Sequence, residues 1–524
     1  MGVIMKKTII FVSLLLAASV FSACNQKLLD FSPTDSGSGE ELLKEASTAI
    51  SSVNGIYRSM WSAGWTTTGN THQCFGISAY NLALEVMADD LIMQGQGNGW
   101  FWFDHVYSVK SYYSSSAFRG YDVWYANYKW IADANYIIAA EESMGGSTAD
   151  VSYVVGQAYA IRALAYLNLA TWFARAPYNP LGGTSRWNDP GVPVYTEGTS
   201  IKTEGKPREN LSIVYERIAK DMDRAVELLE KGQGTSLADN NKSHISLYVA
   251  LGLKSRVCLA TGDWDGAYDA AMRVIEDGPY AVGGQSELMG GMNDINNANV
   301  MWGAGIANSE QSGAYASFFT HMDNVSGSYA QAAPKLISKQ LYNHISDNDI
   351  RKRWWNPNDR ESPYVSTKFS FSNVAAWLGD YIYMRVEEMY FTAAEAALRS
   401  GDEDSARNLM NTVMAPRNPG YNASAYRGTM LGATTTTWTG SFLENILLQR
   451  RIELWGEYGR LFDVRRLGQG ISRSTEDGFS SDCMTTMSRN RINITNPDTY
   501  DWILMIPKDE LDANPNINEE DQNP

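Results

Sequence analysis

The chain is predicted to be mainly α-helical, and three observations carry that prediction. Apolar residues recur at helical spacing through most of it, two segments repeat a helix, Gly-Asp, helix pattern, and long stretches without period separate the helical parts. With 524 residues, 44% of them hydrophobic, the chain has the apolar surface for a large core.

Taken in order, the N-terminus stands outside that body. Lys6 and Lys7 precede the apolar run Ile9, Ile10, Phe11, Val12, Leu14, Leu15 and Leu16, which is too short for a permanent membrane helix. Ser22 and Ala23 then stand directly before Cys24. Residues 1–23 read as a secretory signal of the bacterial lipoprotein kind, with Cys24 the site of lipid attachment. Residues 24–40, rich in Ser, Gly, Asp and Glu, read as the lipidated N-terminus and a flexible tether. Beyond Cys24 no apolar run approaches the ~20 residues a membrane helix needs. Residues 41–524 are therefore expected to lie outside the bilayer, with length for one large domain or two to three smaller ones.

Along this body, helices are expected over Glu40–Ser62, Asp122–Ala140, Val151–Phe173 (ending before Pro177) and Asn210–Lys231. The last carries Ile213, Ile218, Met222, Ala225 and Leu229 on one face and charges on the other. His244–Gly262 followed by Trp264–Glu276, and Val386–Gly401 followed by a helix with Ala406, form the repeated pattern. A Gly turn between two helices, with Ala where they touch, is a tetratricopeptide kind of hairpin. The aperiodic stretches at about 66–111, 179–208, 278–331 and 417–439 read as loop insertions, and loops that long tend to carry function.

Composition narrows the function. A formal net charge of -16 opposes binding to a phosphate backbone, so no nucleic-acid partner is expected. Besides Cys24 there are Cys74, Cys258 and Cys483, too widely spaced for a CxxC metal pair or a disulfide framework. HExxH, GxSxG, P-loop and GxGxxG motifs do not occur, so no metal, cofactor or catalytic residue is assigned. The carboxylate pairs Asp89/Asp90 and Glu387/Glu388 have the chemistry to flank a glycosidic bond, but such pairs arise by chance among 59 acidic residues. The surplus is aromatic: 16 Trp and 29 Tyr suggest stacking surfaces.

Several stretches share an order. Arg162-Ala163 and Tyr166-Leu167 lead to Pro177; Pro207-Arg208 leads to Val214-Tyr215-Glu216-Arg217-Ile218 and Asp221. Arg385, Glu388, Met389, Ala394 and Glu395 follow, then Gln449-Arg450-Arg451-Ile452-Glu453-Leu454, Glu457, Gly459-Arg460 and Asp463. Ile506-Pro507, Glu510, Asn514-Pro515 and Gln522-Asn523-Pro524 close the chain. Over nearly the whole of the body these resemble the SusD/RagB family of outer-membrane glycan-binding lipoproteins. Two places depart from the family: Tyr458, where it carries Gly, and Asn25-Gln26-Lys27, which lacks an acidic run associated with surface export.

The resemblance implies that residues 41–524 form a single SusD-like helical domain with four tetratricopeptide-like hairpins and the long loops gathered on one face. It implies a non-catalytic, lipid-anchored protein of the outer membrane, facing the exterior. Such a protein binds an oligosaccharide or polysaccharide and delivers it to a SusC-like TonB-dependent transporter. The alternatives from other classes are a membrane-anchored helical glycoside hydrolase and a tetratricopeptide-type peptide-binding scaffold. The shared charges read as structural: Arg385 and Glu388 are one turn apart and able to pair, and those from Arg450 to Asp463 recur at helix-stitching steps.

Sugars offer an apolar C–H face and a rim of hydroxyls, so their contacts are expected on loop aromatics. Trp100, Trp102 and Tyr107 form the densest candidate; in an extended segment both Trp rings point to one side. The alternative, that one of these rings caps a neighbouring helix, stays open. Trp302, Tyr315, Phe318 and Tyr329 form a second candidate, with Trp354-Trp355, Tyr112 and Tyr113 less distinct.

Overall fold

The computed structural model describes residues 39–63, 66, 70–97, 99–111, 118–238, 242–307 and 317–524. The signal, Cys24, all but the end of the tether, and Tyr112, Tyr113 and Tyr315 lie outside the described residues.

Helix α1 (Ala46–Ser59) buries Ala46, Ala49, Val53, Ile56 and Tyr57, a three-and-four spacing that gives one apolar face. Helix α2 (Ile77–Val86) falls inside a stretch expected to be loop. All ten of its residues are buried, so it has no polar face and shows no amphipathic period in sequence. It leads into β1 (Leu91–Met93) and, after a turn, into the single-turn α3 (Trp102–His105).

Four long helices follow. Helix α4 (Phe118–Ala139) packs on α5 (Thr148–Phe173), and α5 in turn on α6 (Leu211–Lys231). The Ser147 side chain caps α5 by accepting a hydrogen bond from the Asp150 N–H at 3.1 Å. Helix α7 (Leu247–Thr261) packs on α6 and forms a hairpin with α8 (Trp264–Asp277). Its turn is set by Gly262 in the left-handed region (φ 76) and by Asp263, which caps α8.

The middle of the chain is less helical. Strand β2 (Val300–Ala304) precedes two one-turn helices, α9 (Phe318–Met322) and α10 (Ser328–Ala332). Strand β3 (Lys335–Ile337) pairs antiparallel with β1, Leu91 opposite Ile337. Strand β4 (Tyr381–Arg385) pairs antiparallel with β2, Val300 opposite Arg385. The second hairpin then repeats the first: α11 (Val386–Arg399) and α12 (Glu403–Met414) meet at Gly401 (φ 92), with Asp402 as cap. Helices α13 (Phe442–Glu453), α14 (Arg460–Leu467) and α15 (Lys508–Ala513) complete the body. One hydrophobic cluster runs through it from Ala46 to Ile517.

The shared charges are threaded through this core. Glu453 on α13 is fully buried and accepts from Arg385 (2.9 Å), Arg351 (3.0 Å) and Arg417 (2.8 Å). Arg450 bridges Asp463 (2.8 Å) and Glu388 (3.3 Å), and Arg466 joins Asp463 to Glu395 (both 2.7 Å). Arg451 and Arg460 hold Asp89 and Asp90. Helix is thus stitched to helix, but Arg385 does not pair with Glu388. It is the residue before α11, at the end of β4, and its guanidinium reaches Glu453, Glu457 and Glu387. Burial pushes the Asp463 carboxyl up, and the guanidiniums of Arg450 and Arg466 outweigh it and hold the group at about 2. Glu85 on α2 meets the opposite balance: burial pushes it up to about 8, only partly offset by the Arg460 and Gly456 N–H groups.

Candidate functional site

Three chain segments meet at an aromatic cluster. The His72 ring stacks on Trp100 with centroids 4.6 Å apart and planes at 16°. His72 Nδ1 lies 2.5 Å from the Tyr329 hydroxyl, and the Trp100 and Tyr329 rings stand 5.4 Å apart. All three rings are half-buried, so each keeps some surface towards solvent. Phe103, in α3 three residues on from Trp100, is 41% exposed, and Gln96 and Gln331 are exposed on the loop and helix that carry Trp100 and Tyr329.

The base of the cluster is rigid. His321 on α9 donates from Nε2 to the His72 carbonyl (2.7 Å), and its ring packs 4.9 Å from Tyr329. Phe75 and Phe101 pack on His321 from below. The buried Arg119 on α4 donates to Asp104 (2.8 Å) and to the Gln73 carbonyl (2.9 Å), fixing the segments on either side. Gly97 (φ 51) lets its loop lie against α10, where an added Cβ would stand 2.5 Å from the Ala332 carbonyl oxygen. Two half-open rings and an imidazole, backed by a closed polar network, suit the stacking of a flat ligand face.

Of the residues singled out in sequence, Trp100 and Tyr329 are brought together. Trp102, Tyr107 and Trp302 are not, and their expected place on the platform is corrected. The backbone turns left-handed at Phe101 (φ 64) and enters α3, so Trp100 and Trp102 do not share one side of an extended segment. Trp102 is 5% exposed and belongs to the core. Tyr107 is fully buried, donates its hydroxyl to the Met87 carbonyl, and has its phenol pushed up by burial. Trp302 sits in β2, whose five residues are all buried; its Nε1 donates to the Ser243 carbonyl (3.1 Å) and its ring packs on Tyr383 (5.0 Å). Phe318 is half-buried against Phe369. Trp354 and Trp355 are both buried. His72 was missed, because a lone His in an aperiodic stretch carries no signal of its neighbours.

The two carboxylate pairs also lie in the core. Asp89 and Asp90 are held by Arg451 and Arg460, while Glu387 meets Arg417 and Arg385 and Glu388 meets Arg256 and Arg450. Neither pair reaches solvent.

A helical body with this loop-borne aromatic face is a SusD-like fold. A SusD-like carbohydrate-binding protein from Bacteroides vulgatus ATCC 8482 superposes with a TM-score of 0.74, at 24% identity over 91% of this chain and 98% of that one. A SusD superfamily protein from Bacteroides thetaiotaomicron VPI-5482 gives 0.71 at 23% identity, over 92% of this chain and 100% of that one. Surface glycan-binding protein A from Bacteroides thetaiotaomicron, solved with laminarihexaose, gives 0.64 at 13% identity, over 91% of this chain and 99% of that one. The SusD family model matches residues 314–524, and a related model, described as starch-binding and associating with the outer membrane, matches residues 74–259. The chain belongs to the SusD/RagB family. No curated protein matches it.

Proposed function

We propose that this protein is a non-catalytic glycan-binding lipoprotein of the outer membrane. Cys24 carries the lipid, the body from residue 41 onward folds as one domain facing the exterior, and captured oligosaccharide passes to a SusC-like TonB-dependent transporter. The observation that carries the reading is the Trp100, His72 and Tyr329 cluster: half-open rings held by a packed base on the loops of a helical body. Sugar C–H groups would stack on the open ring surface, with the hydroxyl rim left to exposed polar groups such as Gln96 and the free amide oxygen of Gln331, whose N–H donates to the Val325 carbonyl. Tyr315, outside the described residues, belongs to the same proposal. The family membership and the laminarihexaose bound by one relative of the same fold support the ligand class.

The experiment is a glycan-array screen followed by incubation with each retained polysaccharide. Binding without new reducing ends is expected. Steady release of reducing ends would replace capture by hydrolysis.

A further inference from the structure

A cavity elsewhere on the molecule shares no lining residue with the aromatic face. It is a cleft of about 270 Å³ between α4, residues 195–203 and α15. Four aromatic side chains wall it: Trp124, Tyr125, Tyr128 and Tyr195. Tyr125 is 43% exposed at the rim and is stacked on Tyr121 (5.7 Å, 22°), while Tyr128 and Tyr195 meet edge to face at 5.9 Å. Two carboxylates, Asp509 and Glu510, stand on the α15 side.

The two carboxylates are open to solvent, Asp509 exposed and Glu510 half-buried, and the protein offers them few close donors. The cleft's own donors reach the carboxylates only at long range: Tyr125 hydroxyl to Asp509 and Trp124 Nε1 to Glu510, each at 3.4 Å. The Asn514 amide, a neutral donor, adds a bond to Glu510 at 2.7 Å. Among the described residues neither carboxylate has an ion-pair partner, so both are free to meet a cation from solvent. Lys206 lies close by, but its ammonium donates to the Val194 carbonyl (3.1 Å) and stands 5.4 Å over the Tyr195 ring. Aromatic ring faces carry negative potential, so rings and carboxylates here favour the same sign of ligand charge.

We infer that this cleft binds a small ligand through an ammonium group, seated against the aromatic walls and paired with Asp509 and Glu510. The chemistry is shared by an amino sugar and by a choline-type headgroup. At about 270 Å³ the cleft is near the lower end of ligand pockets, which suits one sugar ring or one headgroup rather than an extended chain.

The test is fluorescence titration of the mature protein with glucosamine and with choline, using glucose and N-acetylglucosamine as neutral controls. Saturable binding of at least one cation, with neither control binding, is expected. Whether glucosamine or choline binds more tightly decides the source. Tyr125→Ala, and Asp509→Asn combined with Glu510→Gln, should each weaken that binding about tenfold or more while the protein stays folded. Trp100→Ala should leave it unchanged, which separates this site from the aromatic face. Equal binding of the neutral sugars, no binding of either cation, or full binding by the charge-removed variant would each overturn the inference.

Discussion

Replacing Trp100 and Trp102 separately by alanine tests how the aromatic face works. His72 already covers one face of the Trp100 ring, so a sugar is left with part of the other. Covering about 60 Å² of ring is worth about 1.5 kcal/mol at ~25 cal/mol per Å², close to tenfold in Kd. Losing the His72 stack should cost stability only about 0.5–1.5 kcal/mol. Trp102, 5% exposed in the core, has the opposite balance, and its removal should cost about 3–5 kcal/mol of stability. Calorimetric titration with a glycan found on the array, beside urea unfolding of both variants, separates the two effects. A Trp100→Ala protein that is folded and binds as the parent does would refute the placement of the site. A Trp102→Ala protein as stable as the parent would refute the burial argument.

Glu453→Ala removes the shared acceptor of three buried arginines and should lower stability by about 3–5 kcal/mol in urea unfolding; a loss below ~1 kcal/mol would show that the other partners of those arginines suffice, Glu387 and Glu457 together with Asp349, which pairs with Arg351 at 2.6 Å. Glu85, raised to about 8 in the fold, keeps its proton where the unfolded chain releases it near 4.5. Its contribution to stability is therefore fully present below about pH 4.5 and falls as pH rises towards 8, by a few kcal/mol at most. Glu85→Gln should flatten that part of the pH–stability curve, and an unchanged slope between those limits would refute it. Cys24→Ala should move the protein from the detergent phase to the aqueous phase, since each buried acyl CH₂ contributes about 0.8 kcal/mol; unchanged partition would remove the anchor.

Helix α6 was legible because one face had to be apolar, and it is expected over Asn210–Lys231 and found over Leu211–Lys231; α5, buried nearly all round, was legible by its length and its stop before Pro177. The Gly-Asp hairpins were legible because Gly262 and Gly401 must adopt a conformation few other residues take. Helix α2 was hidden, since burial on every side erases its period. Strand β2 was hidden for a related reason: its partner β4 lies some eighty residues on, and five buried residues in a Gly- and Asn-rich stretch do not announce a pairing. Loop aromatics pointed to Trp100 and Tyr329, yet sequence could not foresee the left-handed turn at Phe101 that sends Trp102 inward. Nor could it bring His72 to either ring, because that contact exists only through tertiary packing.

His72 and the Tyr329 hydroxyl bond each other across 257 residues of chain. A chain made amino end first therefore holds half of this cluster long before it holds the whole. Retention on a glycan column should in turn count finished molecules, and truncated or misassembled ones should pass straight through.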